Sequence, residues 1–268
     1  MTSTLVRWPV DEPPPAPLVV DMQPPAPRPM SRGLIVDLDD TLYPQRQFME
    51  SGFRAVAQQL AVRHGLDGRP LATDLLRAIE AGESRHVFQR LCATHGLPEA
   101  DVPLMLQVFR EHQPVLTLDD GVAVTLRRLR NAGWRIAILT NGLPSVQERK
   151  LQALGLPALV DHIVYAEQHA ATGKPAAEPF RQTLIRLRMR AGRCVCVGDD
   201  PIKDIGGARA LGIRTIRVAR VVGAAVRPPE RQQAPAAARR DADAVVASFH
   251  EVPLIAAALL DKAASHAS

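Results

Sequence analysis

Residues 37–41 read Asp-Leu-Asp-Asp-Thr and directly follow a short apolar run, so in extended chain Asp37 and Asp39 project to the same side. Two carboxylates that close repel each other unless a cation lies between them or one carries a proton. Either solution lends itself to catalysis, with one group attacking while its neighbour handles protons. Taken alone, an acidic turn after a strand is ordinarily a solvated loop or a helix cap. A second apolar run ends in Leu139-Thr140-Asn141-Gly142, just ahead of Pro144. It sets a hydroxyl and an amide beside the exposed N–H groups of a starting helix, an arrangement suited to gripping an anion and equally to a routine turn. In Gly173-Lys174-Pro175 the proline holds the lysine away from helical geometry, which positions its ammonium. A positioned cation neutralises phosphate charge and keeps a nearby carboxylate ionised, although most lysines are simply solvated. The last segment, Val197-Gly198-Asp199-Asp200 with Asp204 beyond it, gathers hard oxygen donors that favour magnesium. There Asp199 is suited to direct ligation and Asp204 to ligation through water, and Gly198 lets the backbone come close. The ordinary alternative is an acidic helix N-terminus.

The elements that must position these residues are legible as a rhythm of short apolar runs and helical patterns. Runs at 34–36, 135–139, 162–164, 194–197, 215–218 and 244–246 read as buried parallel strands. Helical patterns at 121–132, 144–154, 177–190, 203–211 and 252–261 alternate with them, and Gly133, Gly155 and Gly212 stand where helices should stop. This predicts a doubly wound α/β parallel sheet, made from residues 31–44 and 114–262. Residues 45–113 break the rhythm, with amphipathic stretches such as Phe53, Val56, Ala57 and Leu60 and no clear strand, which predicts an inserted all-α cap. Because the insert follows the first strand, it is expected over the carboxyl ends of the strands, where open α/β sheets bind ligands. Each of the four polar segments falls at the end of a successive predicted strand, so all four converge on one cleft.

Residues 1–30 hold nine of the 23 prolines and are expected to form an extended, disordered arm. A flexible loop is expected at 222–240 and a short tail at 263–268. The 33 Lys and Arg against 28 Asp and Glu give a net charge of +5, but the basic residues are scattered and aromatics make up only 4%, which argues against nucleic-acid binding. The three cysteines, Cys92, Cys194 and Cys196, lack disulfide or zinc spacing and fit a reducing cytoplasm. No run is long and apolar enough for a membrane span, and no signal peptide is evident.

The ordered set Asp37, Asp39 and Thr41 (DxDxT), Thr140, Lys174, and Gly198-Asp199 with Asp204 resembles the four motifs of the haloacid dehalogenase (HAD) superfamily, over roughly residues 32–220. The insert after the first motif is similar to that superfamily's C1-type cap. Residues 39–44 and 50–57 further resemble the phosphatase branch of phosphoglycolate phosphatases and pyrimidine 5'-nucleotidases. The resemblance implies a magnesium-dependent phosphohydrolase in which Asp37 attacks phosphorus to form an aspartyl-phosphate and Asp39 acts as acid, then base. It also implies that Thr140, Asn141 and Lys174 hold the phosphate. Magnesium would be held by Asp37, the main-chain carbonyl of Asp39 and Asp199, with Asp204 in support. The expected substrate is a small phosphorylated metabolite, such as a nucleotide or a sugar or organic-acid phosphate, acted on by a monomer or homodimer. A 2-haloacid dehalogenase gives Asp39, Asp199 and Asp204 no evident task. A phosphomutase keeps the same acids and is separated by a substrate panel. A receiver domain is disfavoured by Asp39 and the insert, and a non-catalytic scaffold by the intact acids.

Overall fold

The computed structural model describes residues 32–83, 85–219 and 242–265; the expected arm at 1–30 and the loop at 222–240 lie outside them. Six strands form one fully parallel sheet: β1 (Arg32–Val36), β2 (Trp134–Thr140), β3 (His162–Tyr165), β4 (Cys194–Gly198), β5 (Arg214–Val218) and β6 (Ala244–Val246). Their order across the sheet is β3-β2-β1-β4-β5-β6, which puts β1 at the centre between β2 and β4.

Both faces of the sheet are buried, as parallel strands joined by helices require. Side chains alternate between two apolar clusters. Leu34, Val36, Ile136, Ile138, Val195 and Val197 face α5 (Asp120–Asn131), α6 (Pro144–Ala153) and α9 (Val252–Ser265). Ile35, Ala137, Leu139, Cys194 and Cys196 face Phe180 and Leu187 of α7 (Ala177–Leu187) and Ala208 of the short α8 (Gly207–Arg209). The three cysteines are buried free thiols, and burial pushes that of Cys194 up to about 12, so the pair in β4 serves as packing.

Three helices differ from the sequence pattern. The one expected at 177–190 stops at Leu187, because Arg188 turns left-handed (φ 52°) and Met189 N–H bonds back to the Leu184 carbonyl. The one expected at 203–211 is a wide π-type turn, Pro201–Gly206, followed by the single turn of α8. Asp200 caps that turn by accepting the N–H groups of Ile202 and Lys203, both at 2.9 Å, which starts the coil two residues early. The last helix runs beyond the expected boundary at 262 to Ser265.

Between β1 and α5 the chain forms α1 (Arg46–His64), α2 (Gly68–Glu80), α3 (Val87–His95) and α4 (Val102–Glu111). These helices close around an apolar interior of their own, which includes Phe53, Leu60, Leu75, Phe88 and Met105. Among the described residues, no helix is long and apolar enough to cross a membrane.

Candidate active site

The carboxyl ends of β1, β2 and β4, together with the turn after β3, bring the sequence-identified polar residues into one cluster. The central strand ends at Val36, and Asp37 N–H still bonds the Val197 carbonyl at 2.9 Å, which fixes the Asp37 backbone to the end of β4. Its carboxylate accepts from Lys174 Nζ at 2.6 Å and from the Thr41 hydroxyl at 3.3 Å. Lys174 is buried and spends all three ammonium donors: on Asp37, on Asp204 Oδ1 at 2.6 Å and on the Leu139 carbonyl at 2.9 Å. Burial alone would lower its pKa, but the Asp204 and Asp37 carboxylates outweigh that and hold it above the ordinary lysine range. Asp37 itself is pushed up to about 7, first by burial and then by the Asp204 and Asp39 charges, with Lys174 opposing.

Asp37, Asp199 and Asp204 offer oxygens that all lie within 4.8 Å of one another, a set of hard donors that fits a divalent cation. Asp204 is fixed by accepting the Asp200 N–H at 3.0 Å with the oxygen that does not meet Lys174. Gly198 makes room for it, since a Cβ there would lie 2.3 Å from the Asp204 carboxylate. Gly198→Ala should therefore displace Asp204 or the strand end and destabilise the protein by about 1–3 kcal/mol, read by denaturant unfolding. An unchanged midpoint would show the close approach to be dispensable.

Asn141 holds the lysine's main chain: its Oδ1 accepts the Lys174 N–H at 2.8 Å and its Nδ2 donates to the Lys174 carbonyl at 3.1 Å. The carboxamide is thus committed to the Lys174 backbone in this arrangement, where the sequence reading had it facing an anion. The buried Thr140 accepts from Gln147 Nε2 at 2.6 Å.

Asp39 departs most from expectation. The strand has ended before it, and each of the two acids meets a lysine. Lys150 Nζ sits 2.9 Å from both oxygens of Asp39. Tyr43 donates its hydroxyl to Oδ1 at 2.7 Å, and Gln147 Nε2 donates to Oδ2 at 2.9 Å. The carboxylate is not part of the acidic trio of Asp37, Asp199 and Asp204. Burial, followed by the Asp39 charge, pushes the Tyr43 phenol well above its usual range and keeps it a donor.

Tyr43, Gln147 and Lys150 escaped the reading of the sequence. A signal was present: 147, 150, 151 and 154 form the i, i+3, i+4, i+7 stripe of a buried helical face, and two of the four are polar. Buried lysines are almost always paired, so such a stripe points to an acid opposite.

A family model of haloacid dehalogenase-like hydrolases matches residues 32–212. Ribulose-1,5-bisphosphate 5-phosphatase of Halopiger xanaduensis is 32% identical over 203 residues, covering 70% of this chain and 84% of that protein. Glyceraldehyde 3-phosphate phosphatase of Methanocaldococcus jannaschii is 29% identical over 196 residues, covering 70% and 85%. Among solved structures, the putative HAD-hydrolase YfnB from Bacillus subtilis, bound to magnesium, superposes with a TM-score of 0.62 at 23% identity, covering 84% of this chain and 98% of that one. At that identity the likeness shows the fold.

Proposed function

Since the chain belongs to the haloacid dehalogenase-like hydrolase family and is a phosphatase by the relatives it matches, we propose that it hydrolyses small phosphomonoesters through an aspartyl-phosphate on Asp37, with magnesium as cofactor. The observation that carries this reading is the meeting of Asp37, Asp199, Asp204 and Lys174 at one rim of the sheet. Asp37, Asp199 and Asp204 would hold the ion, with the Asp39 carbonyl in support. When bound, it supplies charge stabilisation for the phosphoryl oxygens.

The side chains of the chain itself carry the rest. Asp37 Oδ attacks phosphorus, the phosphorus–oxygen bond to the leaving group breaks, and Asp39 delivers a proton to the departing oxygen. Water then attacks the aspartyl-phosphate and returns a proton to Asp39, so that one water is consumed for each ester cleaved. Thr140 holds a phosphoryl oxygen, Lys174 fixes Asp37 and Asp204 relative to each other, and Asn141 keeps Lys174 in place by its two main-chain bonds. The relatives act on phosphorylated sugars and trioses, which supports a small phosphorylated metabolite as substrate.

The test is phosphate release from p-nitrophenyl phosphate and from a panel of metabolite phosphates. Turnover is expected with magnesium and none above background after chelation. Turnover that is indifferent to chelation would remove the ion from the reading, and inertness toward every ester would sink it.

A further inference from the structure

The four bonds onto Asp39 go beyond what an acid-base carboxylate needs in order to exist at this position. Its two oxygens have about four lone-pair sites, and Tyr43, Gln147 and the doubly placed Lys150 occupy all of them. To exchange a proton with a leaving group or a water, Asp39 must give up one of these bonds. Releasing Tyr43 would leave a buried hydroxyl without a partner, at a cost of about 1–3 kcal/mol, and releasing Gln147 would leave its amide with the Thr140 oxygen alone. Lys150 differs, because its ammonium straddles both oxygens at 2.9 Å and can release one while keeping the other.

The surroundings of Lys150 support a built role. Its side chain is 4% exposed, and its other side is covered by the Phe48 ring of α1, whose centroid lies 4.5 Å from Nζ. Gln147, one turn earlier on α6, reaches both Asp39 and Thr140, so α6 holds the acid and the hydroxyl together. A lysine so enclosed would be an expensive way to stabilise the fold alone, since well-packed apolar residues do as well as a buried ion pair.

We infer that Lys150 is a positioning residue for Asp39: it keeps the carboxylate aimed by one oxygen while the other carries the proton to and from the reacting oxygens. This rests on the phosphatase reading above and deepens it, because it makes Lys150 a determinant of which leaving groups the enzyme can expel. Esters with poor, alkyl leaving groups need the proton in the transition state, whereas activated aryl esters leave without it. A misplacement of about 1 Å at such a contact costs on the order of 10²-fold.

The experiment compares kcat/KM of the full-length enzyme on an alkyl phosphate, glycerol 3-phosphate, and on 2,4-dinitrophenyl phosphate, in wild type and Lys150→Met. The alkyl ester is expected to lose about 10²-fold and the aryl ester no more than about threefold. In an Asp39→Asn background the same substitution should leave the ratio of the two unchanged, because Lys150 then has no proton carrier to aim. Equal losses on both esters would reduce Lys150 to a structural role and overturn the inference. If Lys150→Met does not fold, Lys150→Gln carries the same comparison with a polar side chain, and a flat ratio there overturns it equally. A wild type inert toward both esters is a distinct outcome, since it removes the phosphatase reading itself.

Discussion

Asp37→Asn is expected to abolish phosphatase turnover, by at least about 10⁴-fold, while leaving a folded protein that still binds phosphate. The amide is the same size as the carboxylate, and the main-chain bond from residue 37 to the Val197 carbonyl is untouched. What disappears is the carboxylate oxygen placed against Lys174 at the end of the central strand. The same variant should be more stable than wild type when divalent ions are absent. Burial, with the Asp204 and Asp39 charges, raises the folded-state pKa of Asp37 from 3.8 to about 7, so ionising it works against the fold. The sign follows directly: wild type loses stability as pH rises from about 4 to 7, and a neutral asparagine does not. Thermal melts in chelator should therefore coincide near pH 4 and separate by pH 7, with the variant higher. Residual turnover near the wild-type rate would remove Asp37 as the nucleophile, and melts that separate in the opposite direction would contradict the cost of burying its charge.

Asp39→Asn should reduce turnover by about 10²–10⁴-fold and leave magnesium affinity, measured by calorimetry, close to wild type. The split is expected because the Asp39 carboxylate stands outside the trio formed by Asp37, Asp199 and Asp204. Stability should fall, opposite to the first variant, by roughly 1–3 kcal/mol, since a buried Lys150 loses its charged partner. Fully retained turnover would strip Asp39 of its proton-carrying part. A parallel collapse of metal affinity would place its side chain in the ion site.

The strands, their parallel pairing and the gathering of acids were legible because each rests on a local rule. β1 reads as strand from three apolar residues, and a parallel sheet puts its carboxyl end beside those of its neighbours whatever the loops do. What resisted reading depends on distant contacts. The π-type turn at Pro201–Gly206 follows from Asp200 capping two N–H groups while Asp204 folds back onto Asp200, a pattern that helical periodicity cannot register. The commitment of Asn141 to Lys174 spans 33 positions. The Lys150 contact with Asp39 spans 111, and a lysine amid an otherwise ordinary helix carries no mark of its partner beyond its place in the buried stripe. The side-by-side projection of Asp37 and Asp39 assumed an extended chain through residue 39, but the strand ends at Val36, and Asp37 meets Lys174 while Asp39 meets Lys150.

The helices of residues 46–111 enclose their own apolar interior, and among the described residues Phe109 is the one apolar side chain packed against both that interior and the main one under the sheet. Substitutions in the two interiors therefore have nearly independent energetic effects, adding rather than compounding. A change at Phe109 should therefore be felt in both interiors, and α1 reaches the sheet rim directly through Phe48, whose ring lies 4.5 Å from Lys150 Nζ.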